Sequence, residues 1–154
     1  MQNHRSDTNY YFQITNWKKS KSLLQTIREK VFIEEQQVPV ELEWDEFDES
    51  ARHVLAEVLL EGEKLAIGTA RIIINNKQAH IGRMAVLALW RGHGIGTKIL
   101  QTCIDDCRKQ GVTQIILNAQ VYVIPFYQKA GFEISSEQFL DAGIPHKEMT
   151  LAIA

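Results

Sequence analysis

The sequence is poor in the features that brace small secreted proteins or span membranes. Among its 154 residues it has only two cysteines, Cys103 and Cys107, and their count and four-residue spacing favour neither a disulfide framework nor a zinc site. We expect both thiols to be reduced and half-buried. No apolar run approaches the roughly 18 residues that a membrane span needs, and residues 1–7 lack the apolar stretch of a signal peptide. These absences predict a soluble, cytoplasmic protein with no membrane partner.

The sequence also lacks a large excess of positive or of negative charge. The 17 basic and 19 acidic residues give a net charge of −2, which provides no general attraction to nucleic acid or to an anionic membrane. Nucleic acid is therefore not an expected partner, and any bound anion must be held by a local site. The hydrophobic content of 45% and charged content of 23% are typical of a globular protein. The length suits one domain, which we predict to span residues 1–154.

The apolar pattern alternates between strand and helix periods along the first half of the chain. It predicts a strand, an amphipathic helix, an acidic loop with room for one short helical turn, and three strands joined by tight turns, which should form an antiparallel meander. In that order, the predicted segments are 10–15, 18–36, 37–50, 53–60, 64–74 and 78–87.

The second half of the chain begins with a long amphipathic helix. Ile95, Ile99, Cys103 and Cys107 lie on its apolar face, and Gly111 provides a stop. A strand at 114–117, a short helix at 123–130 and strands at 132–135 and 147–153 should follow. A strand–helix–strand connection of this length normally gives a parallel pair. The predicted fold class is α/β (α+β), with a mixed, mostly antiparallel central sheet flanked by helices.

A glycine-rich turn precedes that long helix. Arg91-Gly92-His93-Gly94-Ile95-Gly96 carries three alternating glycines at a helix start, where several backbone N–H groups lack an internal partner. Each hydrogen bond from such an amide to a charged oxygen contributes about 1.5–3 kcal/mol. Glycine matters because a Cβ would obstruct the close approach of a phosphate. The turn predicts an anion site, although the same glycines also suit a plain strand-to-helix turn.

Two other phosphate-binding motifs are not matched. The dinucleotide fingerprint G-x-G-x-x-G needs a different glycine spacing within a parallel unit, and the Walker loop needs Gly-Lys-Ser/Thr. A nucleotide-dependent oxidoreductase is therefore disfavoured.

Three segments carry a family resemblance. The glycine turn fits the pattern of Arg or Gln, two residues, Gly, one residue, then Gly or Ala; Ile81-Gly82-Arg83-Met84-Ala85-Val86 precedes it, and Pro125-Phe126-Tyr127-Gln128-Lys129-Ala130-Gly131-Phe132 follows. Together they resemble the phosphate-binding pattern, the splayed central strand and the aromatic-Tyr-x-x-x-Gly-Phe signature of the GNAT superfamily of acetyl-CoA-dependent N-acetyltransferases. Weaker likenesses to a small single-domain branch occur at 31–36, 43–48, His53 and 143–146.

This resemblance implies a GNAT-like acyl-CoA N-acyltransferase fold and one N-acetyltransferase domain. It also implies direct transfer of acetyl from acetyl-CoA, without a metal, to a primary amine in a ternary complex. The acceptor would be a small amine or an exposed amino group of a peptide, and a homodimer is an open option. By the same resemblance, the cofactor would contact Met84, Ala85, Val86, Arg91, Gly92, His93, Gly94, Ile95, Gly96, Thr97, Phe126, Tyr127, and either Asn118 or Gln120, since Gln120 stands where the family usually has Asn.

The resemblance gives Tyr127 the role of general acid to the departing thiolate. A base or a chain of waters is also expected, because deprotonating a lysine-like amine at pH 7 costs roughly 4–5 kcal/mol. The candidate bases are Glu35, Glu43, Asp45, His53 and His146. A non-catalytic module that binds acyl-CoA as a sensor is the alternative, and the presence of Tyr127 argues against it.

The acidic stretch from Glu34 to Glu49 holds eight of the 19 acids. It would either favour a cationic substrate by attraction or form a solvated loop.

Overall fold

The computed structural model describes residues 8–153. Eight strands, four α-helices, one π-helical turn at Glu29–Glu35 and two short 3₁₀ turns make up this part of the chain. In chain order the strands and α-helices are β1 (Asn9–Asn16), α1 (Trp17–Arg28), α2 (Val40–Glu43), β2 (Arg52–Leu60), β3 (Glu63–Asn75), β4 (Gln78–Val86), α3 (Ile95–Lys109), β5 (Gln114–Gln120), α4 (Ile124–Lys129), β6 (Glu133–Ile134), β7 (Phe139–Asp141) and β8 (Ile144–Ala152).

The strands form one mixed sheet in the order β1-β2-β3-β4-β5-β8-β6, with β7 beside β8. β2, β3 and β4 pair antiparallel as a meander. β4 and β5 form the parallel pair, joined by the crossover through α3. The structure confirms the predicted fold class and the antiparallel meander.

Helices cover both faces of the sheet because the central strands are apolar on both sides. β2 shows this best: alternate residues of a strand point to opposite faces, so Val54 and Ala56 join the cluster around α3, whereas Leu55 packs in the cluster around α1. Helix α3 contributes Ile95 and Ile99 to its cluster, and α1 contributes Leu24 and Ile27 to the other.

The two cysteines lie deeper than predicted. Cys103 and Cys107 are completely buried free thiols on the apolar face of α3, so the expectation of half-buried side chains was wrong. Burial raises the pKa of Cys103 well above its ordinary value and that of Cys107 to about 11. Both thiols are therefore protonated at neutral pH and sheltered from solvent.

Two elements differ from the sequence prediction. The first helix keeps its α-helical winding only to Arg28 and continues as the π-helical turn, which hydrophobic spacing does not distinguish from an α-helix. Strand β7 was missed. The turn of its hairpin with β8 consists of Ala142 and Gly143, both with positive φ. Asn or Gly is usual at the first of these positions and would have indicated the turn, whereas Ala does not.

The parallel pair of strands opens into a wedge. β4 and β5 are paired only from Gln78–Ile81 against Gln114–Leu117, although both strands continue beyond that point. Two residues after Ile81, Arg83 has φ of 50°, a left-handed conformation that is uncommon for a side chain of this size and that breaks the regular course of β4. The backbone of β4 beyond Ile81 consequently lacks a strand partner on its β5 side. No helix within residues 8–153 is long and apolar enough to cross a membrane.

Candidate active site

A cleft of about 700 Å³ fills the wedge between β4 and β5. Its walls come from β4 and β5, the glycine turn at 91–96, helix α4, the β7–β8 hairpin and the segment from Val31 to Glu43. This volume lies in the range of small-molecule and cofactor sites. The cleft therefore brings together elements from almost the whole length of the chain.

The glycine turn forms one end of the cleft. Gly92 and Gly94 have φ of 81° and 78°, and a Cβ on either would meet nothing within 4 Å, so their missing side chains leave open space. Gly94 precedes the first residue of α3 and provides no side-chain cap, and the first hydrogen bond of the helix joins the Lys98 amide to the Gly94 carbonyl. The preceding amides of the first turn are therefore available to an anion.

Arg91 is tied to the protein rather than open to a ligand. Its amide donates to the Ala88 carbonyl at 3.3 Å, and its Nε donates to the Val86 carbonyl at 2.9 Å. Nη1 and Nη2 form a two-pronged ion pair with Glu35, at 2.6 and 2.7 Å. The hydrogen bond from Arg91 lowers the pKa of Glu35, which makes this carboxylate a poor proton acceptor. His93 folds back, with Nδ1 3.0 Å from the Arg91 carbonyl oxygen.

Tyr127, on α4, lines the cleft. Its side chain is 9% exposed, and its hydroxyl donates a long hydrogen bond of 3.7 Å to the Met84 sulfur on β4. Burial raises the pKa of Tyr127, so the hydroxyl keeps its proton. Because a thioether is a weak acceptor, a better one can replace it. Phe126, beside Tyr127, limits the space above Gly96: a Cβ there would lie 3.5 Å from the Phe126 ring.

The two amides proposed for one cofactor contact differ in their surroundings. Gln120 exchanges hydrogen bonds with Gln36 at 3.0 and 3.5 Å, which ties β5 to the segment above the cleft. Asn118 also lines the cleft, and its side-chain amide makes no hydrogen bond to any residue between 8 and 153. Asn118 is thus the amide that remains available to a ligand.

The two histidines proposed as bases lie in different places. His53 is 1% exposed, does not line the cleft, packs on Trp17 and has Nε2 2.9 Å from the Asp48 carbonyl oxygen; burial lowers its pKa. His146 lines the cleft and places Nδ1 2.6 Å from the Ile144 carbonyl oxygen. Since a carbonyl can only accept, Nδ1 carries the proton and Nε2 of the neutral ring has a free lone pair.

Only part of the acidic stretch is buried in ion pairs, and its other acids are mostly exposed. Glu43 and Asp48 are buried and bind Arg28 at 2.7 Å each. Asp45 binds Arg71 at 2.7 Å, and further ion pairs join Arg71 to Asp48 at 3.0 Å and Arg83 to Glu43 at 3.2 Å. Three arginines thus balance three carboxylates, and the predicted attraction for cationic substrates is largely cancelled at these three acids.

Burial and ion pairing shift the pKa values of these carboxyl groups in opposite directions. Burial raises the pKa of Glu43, and the charges and hydrogen bonds of Arg28 and Arg83 only partly oppose it. For Asp48 burial acts upward too, but hydrogen bonds and charges from Arg28 and Arg71 outweigh it, so the pKa falls below its usual value. Each carboxyl group contacts two arginines; Asp48 also accepts a hydrogen bond from the Asp45 amide, which lowers its pKa, whereas the charge of Asp48 raises the pKa of Glu43.

Sequence reasoning missed the three arginines of this network. Arg28, Arg71 and Arg83 lie on α1, β3 and β4, far apart in the chain and without a common motif. The only hint was the local one, a run of acids with no basic residue. Buried acids need counter-charges, and such a run has to find them elsewhere in the chain.

Comparison with known proteins identifies the family. A family model described as an acetyltransferase (GNAT) domain matches residues 20–153. The chain belongs to the GNAT acetyltransferase family. It is 39% identical over 124 residues to an uncharacterized N-acetyltransferase, YjcF, of Bacillus subtilis, covering 80% of this chain and 86% of that protein.

Solved structures show the same GNAT architecture. Escherichia coli ElaA superposes with a TM-score of 0.80 at 24% identity, covering 92% of this chain and 99% of that one. An acyl-CoA N-acyltransferase from Pseudomonas aeruginosa gives 0.75 at 25% identity, covering 93% and 98%. This GNAT protein is therefore an acyltransferase that uses a CoA derivative as acyl donor.

Arg28 should be a main support of the segment above the cleft. We expect Arg28→Met to lower the free energy of unfolding by about 3–5 kcal/mol, because it leaves the buried carboxylates of Glu43 and Asp48 short of their counter-charge. Urea denaturation measures this loss. The matched control is Arg108→Met, where the partner Asp105 is 3.6 Å away and both side chains are more than half exposed; it should change stability by less than about 1 kcal/mol. Equal effects of the two substitutions would contradict a structural role for the Arg28 network.

Proposed function

We propose that this protein, as one N-acetyltransferase domain, transfers an acetyl group from acetyl-CoA to a primary amine by direct attack in a ternary complex. The observation that carries the proposal is the arrangement along one cleft. An uncapped glycine turn lies at one end, the unpaired edge of β4 runs along it, and the Tyr127 hydroxyl lies beside that edge with only a sulfur as acceptor.

The glycine turn would hold the pyrophosphate of the cofactor. Amides from Gly92 to Thr97 are the expected donors, without the Arg91 amide, which is already bonded. Each bond to a phosphate oxygen contributes about 1.5–3 kcal/mol, whereas the dipole of α3 adds only about 0.3–1 kcal/mol. The amides would therefore contribute more to phosphate binding than the helix dipole does.

The rest of the donor molecule would follow β4. The backbone of Met84 and Val86 would pair with the pantetheine as an added strand does, and the free amide of Asn118 is the contact expected from β5. A backbone N–H near Ala85 or Val86 would stabilise the negative charge that develops on the thioester oxygen, which one donor can do by about 3–4 kcal/mol.

The reaction needs one proton removed and one supplied. The neutral amine forms a bond to the thioester carbon, the carbon–sulfur bond breaks, and the sulfur leaves as a thiolate. Tyr127 would donate its hydroxyl hydrogen bond to this thiolate; since burial raises the pKa of Tyr127, stabilisation by the bond matters more than full proton transfer.

His146 is the base that the geometry favours. Of the five candidates, Glu35 and Glu43 are bound by arginines, Asp45 and His53 do not line the cleft, and His146 lines it with Nε2 free to accept. The proton would leave the amine for Nε2 directly or through a water.

The glycine turn can be tested by a charge placed in it. Gly94→Asp should abolish the stabilisation of the protein by CoA in thermal melts, because a carboxylate would occupy the place of a phosphate; ligand at about 100 times its Kd normally stabilises by about 2.7 kcal/mol. Gly111→Asp is the matched control, since Gly111 has φ of 79° and equally open surroundings at the other end of α3. Normal CoA binding by Gly94→Asp would refute the phosphate site.

The role of Tyr127 can be tested by removing one oxygen. Tyr127→Phe should lower kcat about 100-fold, as expected when one hydrogen-bond donor to a developing negative charge is removed, and leave the affinity for acetyl-CoA nearly unchanged. Tyr122→Phe serves as control, because Tyr122 also lines the cleft but is 72% exposed. An unchanged kcat in Tyr127→Phe would remove the tyrosine from the mechanism.

The role of His146 can be tested by chemical rescue. His146→Ala should lower kcat about 100-fold or more, in the range for loss of a general base, and added imidazole should restore part of the rate by occupying the vacated space. Steady-state kinetics with and without imidazole give the measurement. A variant that keeps the parent rate would assign proton removal to water alone.

A further inference from the structure

Arg71 is a buried arginine with only part of its guanidinium bonded. Arg71 lies on β3, its side chain lines the cleft, and the whole residue is 7% exposed. Nη1 donates to Asp45 Oδ1 at 2.7 Å and to Asp48 Oδ1 at 3.0 Å. Nε is buried and has no hydrogen-bond partner in the described part of the chain, and Nη2 donates to no residue of that part either.

An unbonded donor on a buried cation is rare in a folded protein. Buried polar groups nearly always have a partner, and a missing one points to a water or a ligand. Nε and Nη2 together form the fork with which arginine binds both oxygens of one carboxylate. The unused part of Arg71 thus has the geometry of a carboxylate receptor.

Open space lies over Gly82, on the face of the sheet that carries the Arg71 side chain. Gly82 on β4 is the register partner of Arg71, and directly paired residues of antiparallel strands share one face of the sheet. A Cβ on Gly82 would meet nothing within 4 Å, and Gly82 also lines the cleft. A ligand group therefore fits over Gly82 next to the Arg71 side chain.

The surrounding charges allow an anion at this point. Of the carboxylates that line the cleft, Glu35 is neutralised by Arg91 and Glu43 by Arg28 and Arg83. Asp141 also lines the cleft, from the β7–β8 hairpin. The ion-paired cluster beside the space over Gly82 contains as many arginines as carboxylates, so the unbonded fork of Arg71 is the feature there that selects a ligand.

We infer that the acceptor amine carries a carboxylate, which binds the Nε and Nη2 groups of Arg71 in the space over Gly82. The inference rests on the proposed function. It makes Arg71 a specificity-determining residue and makes the substrate class a small molecule that carries both an amine and a carboxylate.

The distance along β4 sets the length of that acceptor. Gly82 precedes Ala85, near which the thioester would lie, by three residues, or at most about 10 Å of extended strand. An acceptor whose amine and carboxylate stand several bonds apart, as in an ω-amino carboxylic acid, suits a separation of that order better than one that carries both groups on one carbon.

Matched acceptors test the inference on the unmodified protein. With acetyl-CoA saturating, kcat/KM for 6-aminohexanoic acid should exceed that for 6-aminohexanamide and for hexylamine by at least tenfold, and 2-aminohexanoic acid should be a poor substrate. Equal kcat/KM for the acid and its amide would overturn the inference and leave the acetyltransferase proposal intact.

Two variants connect the preference to the site. Arg71→Lys keeps the charge but loses the fork, and Gly82→Ala fills the space without touching any ion pair. Both should remove the preference for the acid mainly through KM, while the rate with 6-aminohexanamide and the thermal shift caused by CoA stay at parent values. Arg52→Lys is the control, because Arg52 forms an ion pair with Asp106 and does not line the cleft. If Gly82→Ala keeps the full preference, the carboxylate binds elsewhere and the inference is wrong.

A binding measurement separates this inference from the proposed function. Titration calorimetry of 6-aminohexanoic acid into the CoA-bound protein should give heat that is lost in Gly82→Ala and absent with hexylamine. Such binding without any acetyl transfer would support the carboxylate site and refute the acetyltransferase proposal. If the acid neither binds nor is preferred as a substrate, the carboxylate site is refuted.

Discussion

The molecule depends on one constraint, the separation of two parallel strands that begin as neighbours. Where β4 and β5 part after Ile81 and Leu117, the polar backbone on the inner side of the wedge loses its natural partner. Unpaired backbone groups are costly when they are shielded from water, so the backbone of β4 on this side has to be met by water or by a ligand. This opening forms the cleft, which the glycine turn and Tyr127 line.

The segment above the cleft is held from both strands at once. Glu35 binds Arg91 next to β4, and the following residue, Gln36, binds Gln120 at the end of β5. The same segment leads to Glu43, which Arg28 and Arg83 hold. Residues 35–43 therefore connect the glycine turn to the arginine cluster, so the two parts of the cleft depend on the same segment.

Local patterns made much of the fold predictable. The helix at Ile95–Lys109 follows from apolar spacing and a glycine stop, and the meander follows from alternation and tight turns, because neighbours along the chain decide both. The glycine turn was predictable for the same reason. The β7 hairpin was missed since its turn uses Ala142, and the π-helical winding after Arg28 leaves no mark in the spacing of apolar residues.

The details of the site were less predictable, because they depend on side chains that meet only after folding. Arg91 was expected to offer its amide and instead bonds it to Ala88. His53 was a candidate base, but it is buried against Trp17 and does not line the cleft. The pairing of Arg71 with Asp45 and Asp48 likewise joins segments that no motif links.

The burial of both cysteines has a practical consequence for work on this enzyme. Thiol reagents such as aromatic disulfides react with exposed thiolates, and the side chains of Cys103 and Cys107 offer neither exposure nor a thiolate at neutral pH. In a colorimetric assay of liberated CoA, the folded protein should add almost no background, so the signal would report turnover directly.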